Sequence, residues 1–376
     1  LLIGVAVPVL GLSLLGEGSV GQGLHIIANT NTEKLNAIGS SSDPTPFATL
    51  FTGMIFANLF YWCTNQYVIQ RTLAAKNLAE GQKGVLFSGF FKVMVPFIMM
   101  LPGVIAFHLY GAVGSETGLD SIDLAYPQLI RDVLPVYAMG FFLAVLLGAV
   151  FSSFNSLLNS AATLFCLDVY VPYKERQGQA PVNDTQVLKV AKRASIIIAL
   201  FSFVVAPLLQ FAPDGLWQII RVFTGFYNIP VIAIVIVGLF APQVPALGPK
   251  LVIGFHVLAY GLLKFVFDDL VTLHFIHLYA ILFFIEVAIM LVVGMRYPRA
   301  AVWTYSTSHK VDLQPWRFAR PCAVTLISCV IGLYLLFSPI GLVGGISTLF
   351  WFATSALIVA NMAVWVLANK PSYSLQ

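Results

Sequence analysis

Charge is what this sequence lacks most. Of 376 residues only 10% are Asp, Glu, Lys or Arg, against 59% hydrophobic, and a soluble domain of this length needs more charge than that to face water. Cysteine is sparse too: Cys63, Cys166, Cys322 and Cys329 sit in apolar stretches or at their ends, which excludes a disulfide framework and a zinc spacing. The six histidines are scattered, and although His274 and His277 share a helix face, no third metal ligand lies beside them. The sequence contains no His-Glu-x-x-His, no Gly-x-Ser-x-Gly and no phosphate-binding glycine loop, so nothing in it points to an enzyme.

What is present is hydrophobic length. Apolar runs of about 17–25 residues, enough to cross a bilayer, fall at 47–68, 84–107, 136–165, 191–212, 215–241, 249–267, 272–294, 320–338 and 344–368. The predicted fold is all-α, a polytopic transmembrane helical bundle with the lipid bilayer as its solvent. A shorter run, Leu1 to Gly16, comes first without an initiator Met, a basic n-region or a small-residue cleavage site. It is read as the tail of a span that begins before this sequence, not as a signal peptide.

Basic residues set the orientation. Arg71, Lys76 and Lys83 in 69–83, five Lys and Arg in 170–193, and Arg296, Arg299, Lys310, Arg317 and Arg320 in 295–320 mark cytoplasmic loops. The alternate loops, 17–46 and 108–135, hold Lys34 and Arg131 against seven acidic residues, Glu116 among them, and face the other side. The net charge of +4 is therefore a topology signal, and no nucleic-acid partner is expected. The loop 108–135, with Pro127 and Pro135, reads as an outer loop with short helices.

Two spans look broken. The run 47–68 starts after Pro46, contains Gly53 and places Asn58, Tyr61, Trp62, Thr64, Asn65 and Gln66 in its inner half; 215–241 carries Thr224, Gly225, Tyr227, Asn228 and Pro230 at mid-depth. Backbone groups freed there need protein or a water-filled cavity, which makes such breaks pointers to a binding site.

A polar stripe runs along the third long span. Ser152, Asn155, Ser156, Asn159 and Thr163 share one helical face and would line a bundle interior. The carbonyl of Ala149 and the hydroxyls of Ser152 and Ser153, at i, i+3 and i+4, suit either helix-helix contact or part of an oxygen shell for a small hard cation.

Three charges within spans stand out. Lys92 is about eight residues, or roughly 12 Å of helix rise, inside its run; it either snorkels to the cytoplasmic face or faces a cavity and donates to substrate oxygens. Arg221 sits about six residues into its run, roughly 9 Å deep, either at the outer interface or paired with an anion. Glu286 is a lone mid-span carboxyl, more commonly neutral or hydrogen-bonded than a proton relay.

Three stretches, 58–76 from Asn58 to Lys76, 152–170 from Ser152 to Tyr170, and 311–317 (Val-Asp-Leu-Gln-Pro-Trp-Arg), resemble the solute:sodium symporters, in particular their bacterial SGLT-like sugar-transporting branch. The resemblance implies a LeuT-like fold of five plus five inverted-repeat helices. In it 1–16 is the end of the last helix of repeat one, 17–46 an extracytoplasmic loop, 47–241 the second repeat and 249–368 the peripheral helices. It also implies that Asn58 and Lys92 bind sugar hydroxyls, that Tyr61 is the inner gate, that Trp62 braces the site, and that Ala149, Ser152 and Ser153 form half of a sodium site.

One departure stands out. Sugar transporters of this branch commonly have a Gln where this chain has Arg221, and two cations near one cavity suggest an anionic sugar, uronic or sulfonated. The expected function is sodium-coupled import of a sugar or sugar-like solute across the bacterial inner membrane. The alternatives are a proton-coupled carrier using Glu286 and a solute sensor built on a transporter fold.

Overall fold

The computed structural model describes residues 2–115, 118–178, 182–211, 216–300 and 311–369; Leu1, Glu116, His309 and Lys310, used in the sequence reading, lie outside them. Among the described residues all regular structure is helical.

The chain begins with α1 (Leu2–Leu15) and α2 (Val20–Asn29), bent 78° against each other. Glu17 and Gly18 make the turn at φ 49° and 99°, a left-handed geometry that glycine adopts without a Cβ clash. Helix α2 lies within the stretch 17–46. Ser19 caps it, its Oγ accepting from the Gln22 amide at 3.3 Å, which satisfies one of the free donors at a helix start.

The run 47–68 is broken, as its Gly, Pro and amide content predicts. A 3-10 turn (Phe47–Phe51) leads into α3 (Gly53–Leu59), then a π turn (Phe60–Thr64), then Asn65 in extended conformation (ψ 112°), then α4 (Gln66–Leu73). Gly53 permits the closest approach, since a Cβ there would overlap the Ile276 carbonyl oxygen.

Next come α5 (Leu78–Val93), a π turn (Pro96–Met100) and α6 (Leu101–Tyr110), which together form one span. The loop 108–135 carries the expected short helix, α7 (Ala125–Val133). Then follow α8 (Val136–Leu164), α9 (Val171–Arg176), α10 (Asp184–Val205), α11 (Leu216–Phe240), α12 (Leu247–Gly261), α13 (Phe275–Arg296), α14 (Ala319–Leu336) and α15 (Thr348–Asn369). Among the described residues eight helical stretches are long and apolar enough to cross a membrane, or nine if the bent pair α1/α2 is one span.

The second predicted break is not there. Helix α11 runs through Pro230 without interruption. A proline removes the amide that would meet the carbonyl four residues back, that of Phe226, and crowds the preceding turn, yet α11 carries it; five to nine residues before Pro230, neighbouring side chains hold the helix backbone: Tyr279 Oη donates to the Arg221 carbonyl at 2.7 Å, Tyr260 Oη to that of Val222 at 3.2 Å, and His256 Nε2 lies 3.1 Å from that of Gly225.

Two apolar cores result. One joins α3 and its π turn to α11, α12 and α13 through Phe60, Ile229, Tyr260, Ile276, Tyr279 and Met290. The other joins α1, α2, α6 and α7 through Val7, Leu12, Ile27, Ile105, Leu129 and Ile130. The most apolar window of the span containing α8 has none of its residues buried, which fits a helix turned to lipid or to further protein.

Candidate functional site

The broken segment and its neighbours hold the polar residues of the bundle. Because the π turn inserts an extra residue, it re-aims the side chains it carries, and those are Tyr61 and Trp62. Tyr61 meets Trp62 edge to face at 5.0 Å, and its hydroxyl hydrogen-bonds that of Tyr67 at 2.5 Å. Lys92, near the end of α5, places its ammonium 5.2 Å from the Trp62 ring, a cation-π contact that keeps its donors available. Asn58 is exposed one turn earlier, with its Nδ2 donating to the Met54 carbonyl at 2.9 Å.

Arg221, on α11, packs against the start of the same segment. Its guanidinium donates to Thr45 Oγ1 at 2.5 Å and approaches Met54 Sδ at 3.5 Å, and it lies 5.7 Å from the Phe275 ring. Its contacts centre on Met54 and those of Lys92 on Trp62, eight residues later, or about 12 Å of helix rise. The two cations therefore bracket the segment and are not clustered.

On α8, Ala149, Ser152 and Ser153 share an exposed face. A hard cation at that face would find two hydroxyl oxygens and a helical carbonyl, the ligand class it prefers. Further along, the stripe engages α4. Arg71 Nη2 donates to Ser156 Oγ at 2.9 Å, Asn159 Nδ2 to Gln70 Oε1 at 3.3 Å and Ser160 Oγ to Gln66 Oε1 at 3.1 Å. Thr163 bonds back to the Asn159 carbonyl at 2.7 Å, and Asn155 is exposed. The stripe thus has two parts, an open front at Ala149 to Ser153 and a seam against α4 behind it.

The third quoted stretch is structural. The Asp312 carbonyl accepts from the Leu78 amide at 3.0 Å, and the Trp316 amide donates to Gln82 Oε1 at 2.7 Å, tying the loop before α14 to the start of α5. The histidine pair does not gather ligands. His274 Nδ1 accepts from the Ile276 amide at 3.3 Å at the start of α13, and His277 Nδ1 hydrogen-bonds Thr52 Oγ1 at 2.8 Å; among the described residues no three His, Cys, Asp or Glu form a metal-holding group.

The contact that sequence reasoning missed is between His256 and Glu286. Both are fully buried, and Nδ1 of the histidine hydrogen-bonds Oε1 of the glutamate. Two lone titratable residues at mid-depth of successive spans are the signal that points to such a pair.

Comparison with known proteins follows the same lines. Residues 3–250 match the family model described as the Sodium:solute symporter family. The chain is 40% identical over 369 residues to "Uncharacterized symporter YidK" of Escherichia coli (strain K12), which covers 98% of this chain and 62% of that protein. It is 34% identical over 241 residues to the sodium/glucose cotransporter of Vibrio parahaemolyticus, covering 61% and 42%. With sodium/glucose cotransporter 1 of Sus scrofa it shares 30% over 278 residues, covering 66% and 41%. The chain thus spans between two fifths and just over three fifths of the length of these relatives.

Proposed function

The chain belongs to the sodium:solute symporter family, a family of transporters and not of enzymes, and from that premise we propose that it provides the ion- and solute-handling part of a sodium-coupled importer of a sugar or sugar-like solute. It is a multi-pass membrane protein, and the bacterial relatives favour the inner membrane. The observation that carries the solute reading is the grouping of Tyr61, Trp62 and Lys92 around the break at Asn65. Aromatic faces cover the C–H side of a sugar ring, while Lys92 and Asn58 donate to its hydroxyls.

In this reading Ala149, Ser152 and Ser153 supply three oxygens to sodium, and a further segment or water supplies the rest. Sodium draws α8 toward that segment and raises solute affinity, and by linkage the solute raises sodium affinity. The seam between α4 and α8 closes the cytoplasmic side until Tyr61 and the seam give way. One sodium moving down a tenfold gradient and 100 mV releases about 3.7 kcal/mol, enough for roughly a few-hundredfold accumulation of a neutral solute. The LeuT-like arrangement, with 47–241 as the second five-helix repeat, is part of the same proposal.

Arg221 carries the finer proposal, an anionic sugar. A guanidinium whose nearest polar partners are a hydroxyl and a thioether has donors left for a carboxylate or sulfonate. The test is uptake of radiolabelled D-glucose and D-glucuronate by the whole protein in proteoliposomes, with sodium and with choline outside. Sodium-dependent uptake of either sugar supports the reading, and uptake of neither overturns the sugar assignment.

A further inference from the structure

Helix α11 carries Arg221, and its turns from Arg221 to Gly225 are held from behind. Three side chains of α12 and α13 reach its carbonyls: Tyr279 that of Arg221, Tyr260 that of Val222 and His256 that of Gly225. Gly225 is required there. A Cβ at that position would lie 2.5 Å from the Tyr279 hydroxyl and 2.6 Å from its ring, so α11 and α13 meet closely at this point.

His256 works in this set only in one protonation pattern. The Gly225 carbonyl is an acceptor, so Nε2 carries hydrogen. Neutral imidazole then leaves Nδ1 as an acceptor, and a donor must face it. Glu286 is on hand: its Oε1 is hydrogen-bonded to Nδ1, and its Oε2 is buried with no partner among the described residues. One proton shared between Nδ1 and Oε1 satisfies the contact whichever atom holds it, and in both placements the pair is neutral overall and Nε2–H points at α11. The second nitrogen of a histidine is commonly set in this way by what its first nitrogen meets.

We propose that Glu286 is a positioning residue: by fixing the tautomer and orientation of His256 it holds the Gly225 carbonyl, and with Tyr260 and Tyr279 it sets the α11 segment that presents Arg221 to the solute. The link to the solute rests on the transport reading above; the link from Glu286 to His256 does not. Glutamine at 286 offers an amide N–H to Nδ1 and keeps the arrangement, whereas alanine leaves Nδ1 without a partner. This separates positioning from proton relay, since a relay needs an ionisable group and glutamine is none.

The experiment uses the whole protein in proteoliposomes, with whichever of D-glucose or D-glucuronate it takes up. Glu286→Ala raises the solute KM about tenfold, within the range of long-range coupling effects, with Vmax per folded transporter unchanged. Glu286→Gln restores KM to within about twofold, and Tyr279→Phe, which keeps the ring, raises KM in the same direction. A second readout is independent of transport: 15N NMR of His256 in lipid shows Nε2 protonated in the wild type and in Glu286→Gln, and a mixture of tautomers in Glu286→Ala. Glu286→Gln behaving like Glu286→Ala in KM and in the histidine spectrum overturns the proposal, as does an unchanged spectrum in Glu286→Ala. A wild type without sodium-dependent uptake overturns the transport reading alone, and the spectra still decide the role of Glu286.

Discussion

Replacing Gln66 by leucine removes one of the three hydrogen bonds that join α4 to α8, the acceptor of the Ser160 hydroxyl at 3.1 Å. Ser160 is buried, at 6% exposure, so its hydroxyl has no water to turn to. Side-chain hydrogen bonds between membrane helices average about 0.6 kcal/mol and a typical net value is about 1 kcal/mol. If the seam closes the cytoplasmic side, the closed-to-open ratio falls about three- to fivefold. Spin labels on Leu73→Cys and Leu164→Cys, exposed positions on α4 and α8, read this as pulsed electron-electron distances after the native cysteines are replaced. Gln66→Leu and Ser160→Ala should each raise the ratio of the long-distance to the short-distance population by that factor, and the double variant should do no more than either alone, because both remove one bond. Unchanged populations, or fully additive effects, would refute a closing role for the seam.

Other consequences can be checked in the same preparation. Arg221→Gln removes a charged donor, and a charged hydrogen bond is worth about 1.5–3 kcal/mol, so competition by D-glucuronate should weaken about tenfold or more while competition by D-glucose is spared; equal loss for both sugars counts against an anion site. Gly225→Ala forces the Tyr279 ring aside, an overpacking cost of about 1–3 kcal/mol, and should lower the melting temperature in detergent, whereas Gly254→Ala, with open space around its Cβ position, should not.

Much of the bundle was legible in the sequence because hydropathy over a bilayer's thickness is a strong signal. Eight of the nine predicted spans appear as long apolar helices, and the ninth, 47–68, breaks where its Gly, Pro and amides foretell. The second predicted break is absent: α11 carries Pro230 in its interior, and the side chains that hold its earlier carbonyls, those of Tyr260, Tyr279 and His256, come from later helices. Helix α2 is short, and Ser19 and Gln22 have the spacing of a capping box that marks its start. Of the polar stripe, sequence spacing found the shared face, but its partners Gln66, Gln70 and Arg71 arrive from α4, and no local pattern names them. Glu286 stood out as a mid-span charge, yet its partner lies 30 residues away on another helix and no local pattern joins them.

The central claim is that sodium bound at the front of the α8 stripe drives uptake. The most direct test is the sodium dependence of sugar uptake by the whole protein carrying Ser153→Ala. Loss of one oxygen contact to a cation, about 1.5–3 kcal/mol, should raise the sodium concentration for half-maximal uptake about ten- to hundredfold and leave the solute KM at saturating sodium close to that of the wild type. An unchanged sodium dependence in Ser153→Ala would contradict the assignment.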